Sequence, residues 1–229
     1  MYLKVLFVAL FLLHSTIGFT QNKDRSIVLE RIKKSIQVDG ILSDAEWNSI
    51  EPICSGLLSP WTEEVRDNTV FKAFVSYNYF YFSFDVEDST LTIWDFENEL
   101  SVTKEDRVEL FFAKDLTLDE YFCLEIDPLG RVLDYKAKYY RQFDRPWKFQ
   151  DIKIAAKKTN HGYRVEGRIS LKELKNLGMG NQFFLGIFRA DYRSKNEEDV
   201  TWYSMKKPKS NQPDFHIPTS FEKVIISQQ

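Results

Sequence analysis

Hydrophobic and polar positions alternate along much of the chain with a period of two. In residues 79–86, Phe80, Phe82, Phe84 and Val86 fall on one face of an extended strand, and more polar residues fall on the other. This pattern predicts a strand with one buried face and one wetter face. Segments that alternate in a similar way and also predict strands are 70–77, 107–113, 120–126, 131–140, 152–158, 163–169, 183–192, 200–205 and 221–226.

Helix signals are few and short. Residues 43–46, Ser-Asp-Ala-Glu, fit a capping box that opens a brief helix carrying Trp47. Residues 170–173, Ser-Leu-Lys-Glu, repeat the pattern, and Gly178 would end that second helix. Many short strands separated by turn residues predict an all-β fold: one antiparallel β-sandwich of the immunoglobulin or jelly-roll kind, with one or two short helices.

The first twenty of the 229 residues resemble a removable export signal. Lys4 precedes an apolar run at 5–13 that is too short to span a bilayer, and cleavage fits between Thr20 and Gln21. We therefore expect residues 21–229 to form one secreted domain, periplasmic or extracellular. No transmembrane segment would remain after cleavage.

The charge balance excludes one class of partner. The chain has 31 Lys and Arg against 34 Asp and Glu, and this mildly acidic balance argues against nucleic-acid binding, which needs a basic face. The 43% hydrophobic content argues against disorder.

Two cysteines, Cys54 and Cys123, would meet an oxidising compartment after export. A disulfide between them would close a long loop and stabilise the fold by roughly 4 kcal/mol. Two separate thiols are an equal alternative. A metal site built on them is disfavoured, because no further Cys or His lies at ligand spacing.

Four segments, in order along the chain, resemble the family 9 carbohydrate-binding modules. They are the Asp-Gly turn and Trp helix at 36–47, the Asp-x-Val-Glu-type strand at 106–112, the strand-to-helix segment at 163–174, and the C-terminal segment 213–224. The resemblance covers essentially the whole mature chain. It implies a β-sandwich that binds sugars without catalysis, commonly glucan or xylan chains or their ends, alongside glycoside hydrolases acting on the same glycan. It requires no cofactor and allows a structural calcium ion with unassigned ligands.

Three tryptophans are candidates for contact with a sugar ring, which packs its C–H face on aromatic rings. Trp94 lies in a polar segment between strands, near where the family supplies one ring of its clamp. Trp202 lies where the family has its other clamping tryptophan, and its alternative is an inward-facing strand residue. Trp147 follows Pro146 and either lines the same cleft or covers an edge of the sandwich.

The polar partners depart from the family pattern. Alternation along 121–126 places Cys123 and Glu125 on the face opposite to the core, where sugar-binding family members have an Arg and an Asn. Glu125 can accept hydrogen bonds from sugar hydroxyls, but the bidentate Arg is missing from this strand.

Arginines on other strands are interpreted in two ways. Arg189 is a candidate for the missing donors, because the freestanding branch of the family has an Arg there. Its alternative is a surface ion pair with Asp191 or a neighbouring residue. Arg107 and Glu109 are interpreted as a structural cross-strand pair.

Enzymes and haem proteins are the rival classes. The chain has no nucleophile elbow, no metal-binding His pair and no phosphate-binding glycine loop, so we expect no catalytic activity. Haem-binding electron-transfer modules use a related sandwich with Met and His ligands. Met179 or Met205 with His216 or His161 would be the candidates here.

Overall fold

A computed structural model of the protein describes residues 26–62 and 65–228. The expected export signal, residues 1–20, lies outside the described residues. Within these ranges the chain forms two facing sheets. In chain order the strands are β1 (Ile27–Leu29), β2 (Cys54–Ser55), β3 (Val70–Ser76), β4 (Tyr79–Glu87), β5 (Arg107–Ala113), β6 (Tyr121–Ile126), β7 (Val132–Lys138), β8 (Gln142–Asp144), β9 (Ile152–Thr159), β10 (Gly162–Ser170), β11 (Gln182–Tyr192), β12 (Val200–Ser204) and β13 (Glu222–Ile226). The helices are α1 (Ala45–Asn48), α2 (Leu171–Asn176) and the 3-10 helices Glu99–Lys104 and Pro218–Ser220.

The larger sheet has the strand order β1-β13-β11-β5-β6-β7-β8, with β12 also paired to β11. The smaller sheet has the order β2-β3-β4-β10-β9. The pairings are antiparallel except for β1 with β13. The antiparallel sandwich predicted from the sequence is confirmed. Among the described residues, none of the helices has the length and apolar content of a membrane span.

The core between the two sheets follows from the alternation. Phe80, Phe82, Phe84 and Val86 of β4 are fully or almost fully buried in it, as the period-two pattern predicts. The ring of Phe80 meets that of Phe112 from β5 edge-on, with centroids 5.8 Å apart. Burial of each such side chain contributes on the order of 1.5–3 kcal/mol, so this interior is the main source of stability.

A second apolar layer covers part of the outer face of the larger sheet. Phe111 and Cys123 point to this face, and Phe215 from the loop after β12 packs on it. The ring of Phe215 stacks on that of Phe188 at a centroid distance of 4.1 Å. The C-terminal loop is thereby held against the sheet, and Glu125 shares this outer face, as predicted.

A buried carboxylate helps to attach the N-terminal segment to the outer face of the smaller sheet. Glu166 of β10 accepts hydrogen bonds from the backbone N–H groups of Asp39 and Gly40 and, at 2.7 Å, from Nε1 of Trp47. Gly40 has φ +77°, which suits glycine. Trp47 also packs edge-on against Phe74, so its interpretation as a core residue is confirmed.

We expect Trp47→Phe to lower the free energy of unfolding by about 1–2 kcal/mol, because Glu166 loses a donor while it stays buried. Urea unfolding followed by circular dichroism measures this. Trp61→Phe is the matched control, since Trp61 donates to the carbonyl of Ser210 in a half-exposed loop and water can replace it. Equal losses in the two variants would contradict the special role of the Trp47 bond.

Neither of the two expected capping boxes forms in full. At α2 the hydroxyl of Ser170 accepts from the backbone N–H of Glu173, and Gly178 follows with φ +87°. The reciprocal bond is missing at 170–173, because the backbone N–H of Ser170 donates to the carbonyl of Asp151 and the Glu173 carboxylate accepts from the backbone of Gln150 and Asp151. At 43–46 the box is not formed, because the N-cap is Asp44 and its side chain makes no capping bond.

The two cysteines do not form a disulfide. Cys54 packs against the core between the sheets, whereas Cys123 is buried on the outer face of the larger sheet. The larger sheet therefore lies between the two thiols. Burial raises the pKa of Cys54 to about 12 and also raises that of Cys123, so both stay protonated.

Candidate functional site

A cavity of about 250 Å³ opens on the outer face of the larger sheet. Strands β5, β6, β7 and β12 contribute to its lining, together with the C-terminal loop and the segment through β8. Its charged and aromatic lining residues include Arg107, Glu109, Glu125, Tyr135, Trp202 and His216. Two of the predicted site residues, Trp202 and Glu125, are thus brought together.

A buried ion cluster forms one part of the cavity. The Nε atom of Arg107 lies 2.9 Å from a carboxylate oxygen of Glu109 and 2.8 Å from one of Glu125. The hydroxyl of Tyr135 donates to the other oxygen of Glu125 at 2.8 Å, and Arg107 also donates to the carbonyl of Thr103. The interpretation of Arg107 and Glu109 as a cross-strand pair is wrong. Arg107 and Glu109 are neighbours on one face of β5. The residue opposite Glu109 on β6 is Glu125, which also forms an ion pair with Arg107.

The Glu109 carboxyl is expected to carry a proton at neutral pH. Burial raises its pKa to about 8, and the charge of Glu125 adds to the effect while Arg107 opposes it. A protonated carboxyl both donates and accepts hydrogen bonds. The cavity can therefore present a carboxyl, a carboxylate and a guanidinium to hydroxyl groups.

An aromatic ring completes the lining. Trp202 pairs with Ala190 across β11 and β12 and lies on the outer face, so its side chain does not point into the core. The guanidinium of Arg107 lies 5.3 Å from its ring centroid, and Phe215 meets the ring edge-on at 5.7 Å. These two contacts hold the ring in place beside the ion cluster.

The protonation state of Glu109 gives a stability test. In the unfolded chain this glutamate ionises near the ordinary pKa of its side chain, 4.5, whereas the folded protein keeps the Glu109 proton up to about pH 8. Between these values the folded state binds more protons, so this group lowers stability as pH rises. Between pH 5 and pH 8, we expect the unfolding free energy of Glu109→Gln to fall less steeply with pH than that of the wild type. The difference in slope should correspond to the binding of at most about one proton.

Urea unfolding at four pH values across this range measures the slope. Glu120→Gln serves as the control, because the Glu120 side chain is 45% exposed and its substitution should leave the slope unchanged. A Glu109→Gln slope equal to that of the wild type would contradict the assignment.

Residues 38–229 match the family model of the "carbohydrate family 9 binding domain-like" proteins. The chain belongs to this family. Two solved structures of a carbohydrate-binding module family 9 from Caldicellulosiruptor kristjanssonii resemble it. The cellotriose complex has 17% identity and a TM-score of 0.61, covering 90% of this chain and 95% of that one. The glucose complex has 19% identity and a TM-score of 0.55, covering 88% and 96%.

A third solved structure has a higher TM-score, 0.72. It is a candidate carbohydrate-binding protein from Bacteroides uniformis with 13% identity, covering 89% of this chain and 99% of that one. At identities this low, the structural similarity establishes the shared fold alone. No curated protein sequence matches the chain.

Trp94, one expected ring of the family 9 clamp, lies outside the cavity lining. Its half-buried ring has the ammonium groups of Lys195 and Lys104 at 5.3 and 6.0 Å from the centroid. Its backbone carbonyl accepts from Arg131 and its backbone N–H donates to Glu105. Of the two tryptophans that the family resemblance pairs, Trp202 lines the cavity and Trp94 does not.

Trp147 lies at a different surface from the cavity. Its ring packs on Phe122 and Phe149, with both centroid distances 4.9 Å, and so covers an edge of the core between the sheets. It lines a separate cleft of about 500 Å³ beside α2. This matches the alternative that it covers an edge of the sandwich.

Arg189 points to the interior rather than to the cavity. It is 2% exposed, and its guanidinium lies 3.0 Å from Asp67, 2.7 Å from Asp88 and 3.4 Å from Asp191. The ion pair with Asp191 is confirmed, although it is buried and not at the surface. Arg189 thus neutralises carboxylates where the two sheets meet.

Three carboxylates near Arg189 have oxygens within 4.8 Å of one another: Asp88, Asp106 and Asp191. Asp106 accepts the backbone N–H groups of Thr92 and Tyr192, and burial raises its pKa to about 7. Carboxylate oxygens suit calcium, so these are the candidate ligands for the structural ion that the family resemblance allows. Arg189 already supplies positive charge beside Asp88 and Asp191, which a calcium ion would otherwise supply. Calcium binding at this cluster stays a prediction.

The residues of the haem alternative are not assembled at the cavity. His216 lines it, and Nδ1 of its ring is 3.0 Å from the hydroxyl of Tyr121. Met179 is buried in the core between the sheets, and neither it nor Met205 lines the cavity. His161 is exposed in the turn between β9 and β10. Burial, reinforced by the charge of Arg141, lowers the pKa of His216 to about 3, so it stays neutral.

Proposed function

We propose that the protein binds carbohydrate in this cavity without transforming it, and that the ligand is a glucan- or xylan-type polysaccharide or its chain end. The observation that carries the proposal is the Trp202 ring beside Arg107, Glu109 and Glu125 in one cavity. A sugar ring has a C–H face for the indole and hydroxyl groups for the polar atoms. The protein's family supports the same class of ligand.

The size of the cavity supports recognition of one sugar ring. Its volume of about 250 Å³ lies below the roughly 300–1,000 Å³ that pockets for drug-sized ligands have. A chain could enter only by one terminal unit. The related modules in complex with glucose and with cellotriose support a ligand built of glucose units.

The arrangement of the two acids favours binding over hydrolysis. Glycosidases place an acid and a second carboxylate on the two sides of the scissile bond, roughly 5–10 Å apart. Glu109 and Glu125 instead lie side by side, because both contact the same nitrogen of Arg107. We infer that they hold hydroxyl groups and transfer no proton to a leaving group.

The proposal includes a place for the protein. Residues 1–20 would be removed on export, and 21–229 would act in the periplasm or outside the cell. The apolar run at 5–13 and the carbohydrate-binding family support this. Glycoside hydrolases that act on the same glycan would be its functional partners.

A panel of immobilised glucans and xylans, followed by titration calorimetry of each hit, tests the proposal. We expect Glu125→Gln to weaken binding by about tenfold, since a charge-assisted hydrogen bond to a hydroxyl contributes about 1.5 kcal/mol or more. Glu120→Gln on the neighbouring surface is the matched control and should bind as the wild type does. If no glycan in the panel binds, the proposed function is wrong. If Glu125→Gln binds as tightly as the wild type, the binding site does not include Glu125.

A further inference from the structure

Two adjacent tyrosines stand exposed beside the cavity. Tyr139 and Tyr140 lie between β7 and β8, and each is 50% exposed. Their rings are 5.5 Å apart between centroids and inclined by 67°. Large aromatic side chains that remain half exposed as a pair indicate a contact surface rather than a packing role.

Hydrogen bonds fix Tyr140 relative to the cavity. The hydroxyl of Tyr140 donates to Asp214 at 2.8 Å, and the guanidinium of Arg141 donates to the other oxygen of Asp214 at 3.0 Å. Arg141 also lies over the ring of Tyr140, 5.6 Å from its centroid. Arg141 and Asp214 both line the cavity, so the tyrosines lie at its rim.

The backbone anchors the segment as well. The N–H of Tyr139 donates to the carbonyl of Leu118 at 2.9 Å, which ties the end of β7 to the loop before β6. The backbone that carries the two rings is therefore held, and the rings stand edge to face on it. A fixed aromatic surface binds with a smaller loss of conformational entropy than a mobile one.

We propose that Tyr139 and Tyr140 form an aromatic platform for the sugar units that follow the one in the cavity, so that the protein prefers a chain to a single sugar. The proposal rests on the proposed function of the cavity. A cavity that holds one ring leaves the next units of a chain at its rim. There the exposed ring surfaces of the two tyrosines meet the C–H groups of those units, and Arg141 and Asp214 meet their hydroxyls.

Titration calorimetry with glucose, cellobiose and cellotriose tests the platform. We expect the affinity of the wild type to rise by about tenfold from glucose to cellotriose, the scale of one stacked ring. The double variant Tyr139→Ala, Tyr140→Ala should lose this rise and keep the glucose affinity. Tyr140→Phe should keep the rise, because it retains the ring and loses only the hydroxyl.

Tyr77→Ala is the matched control, since Tyr77 is 62% exposed in the turn between β3 and β4 of the other sheet. It should bind all three sugars as the wild type does. If the wild type binds glucose and cellotriose equally, or if the double variant keeps the rise, the platform is refuted while the proposed function stands. If the wild type binds none of the sugars while glucan and xylan panels also stay empty, the proposed function itself fails.

Discussion

Replacing Arg189 with leucine is expected to lower the free energy of unfolding by about 3–5 kcal/mol. The guanidinium is 2% exposed and lies within ion-pair distance of Asp67, Asp88 and Asp191. Leucine fills part of the volume but leaves three carboxylates without their counter-charge, and the side chains of Asp67 and Asp88 are only 5% and 7% exposed. Breaking a buried pair from one side is costly for this reason, even where the intact pair adds little net stability.

Urea unfolding at pH 7 measures the loss, and Arg164→Leu is the matched control. Arg164 makes the same kind of bond, 3.0 Å to Asp85, but both side chains are more than a third exposed. Its loss should stay below about 1 kcal/mol. Similar losses in the two variants would show that Arg189 is not held as described.

The layers of the fold could be predicted because burial has the same period as the strand. Phe80, Phe82 and Phe84 point to the core, and Cys123 and Glu125 point away from it, as the alternation requires. The short strands β1, β2 and β8 were not predicted. With two or three residues each, they have no period to detect, and tertiary contacts define them.

The position of Arg189 was detectable in the sequence. Leu185, Ile187 and Arg189 alternate along β11, and the first two belong to the core, so the third points the same way. The family resemblance favoured a sugar contact there, and the local period favoured the interior. The structure agrees with the local period.

The cavity could be predicted only in part, because its lining depends on register and on distant segments. Glu109 faces Glu125 because β5 and β6 pair with that register, and alternation alone does not set the offset between strands. Asp214 and His216 reach the cavity through a loop that packs on the sheet by way of Phe215. Contacts of this kind leave no local signal.

Replacing Trp202 with alanine is expected to weaken sugar binding by about tenfold to a hundredfold, which corresponds to roughly 1–3 kcal/mol for one stacked ring. The indole is the aromatic surface in the lining that lies against the guanidinium of Arg107. Its loss removes the C–H contact and admits water to the ion cluster of Glu109 and Glu125. Trp202→Phe should recover part of the affinity because it keeps a smaller ring.

The affinity of Trp94→Ala distinguishes sugar binding in the cavity from binding by the two-ring clamp that the family resemblance implies. Because Trp94 lies beside Lys104 and Lys195 and outside the cavity lining, the variant should bind within about twofold of the wild type. Titration calorimetry on Trp202→Ala, Trp202→Phe and Trp94→Ala, each checked for folding by circular dichroism, measures the differences. If Trp94→Ala loses most of its affinity for the sugar and Trp202→Ala keeps it, the binding site is at the Trp94 loop and not in the cavity.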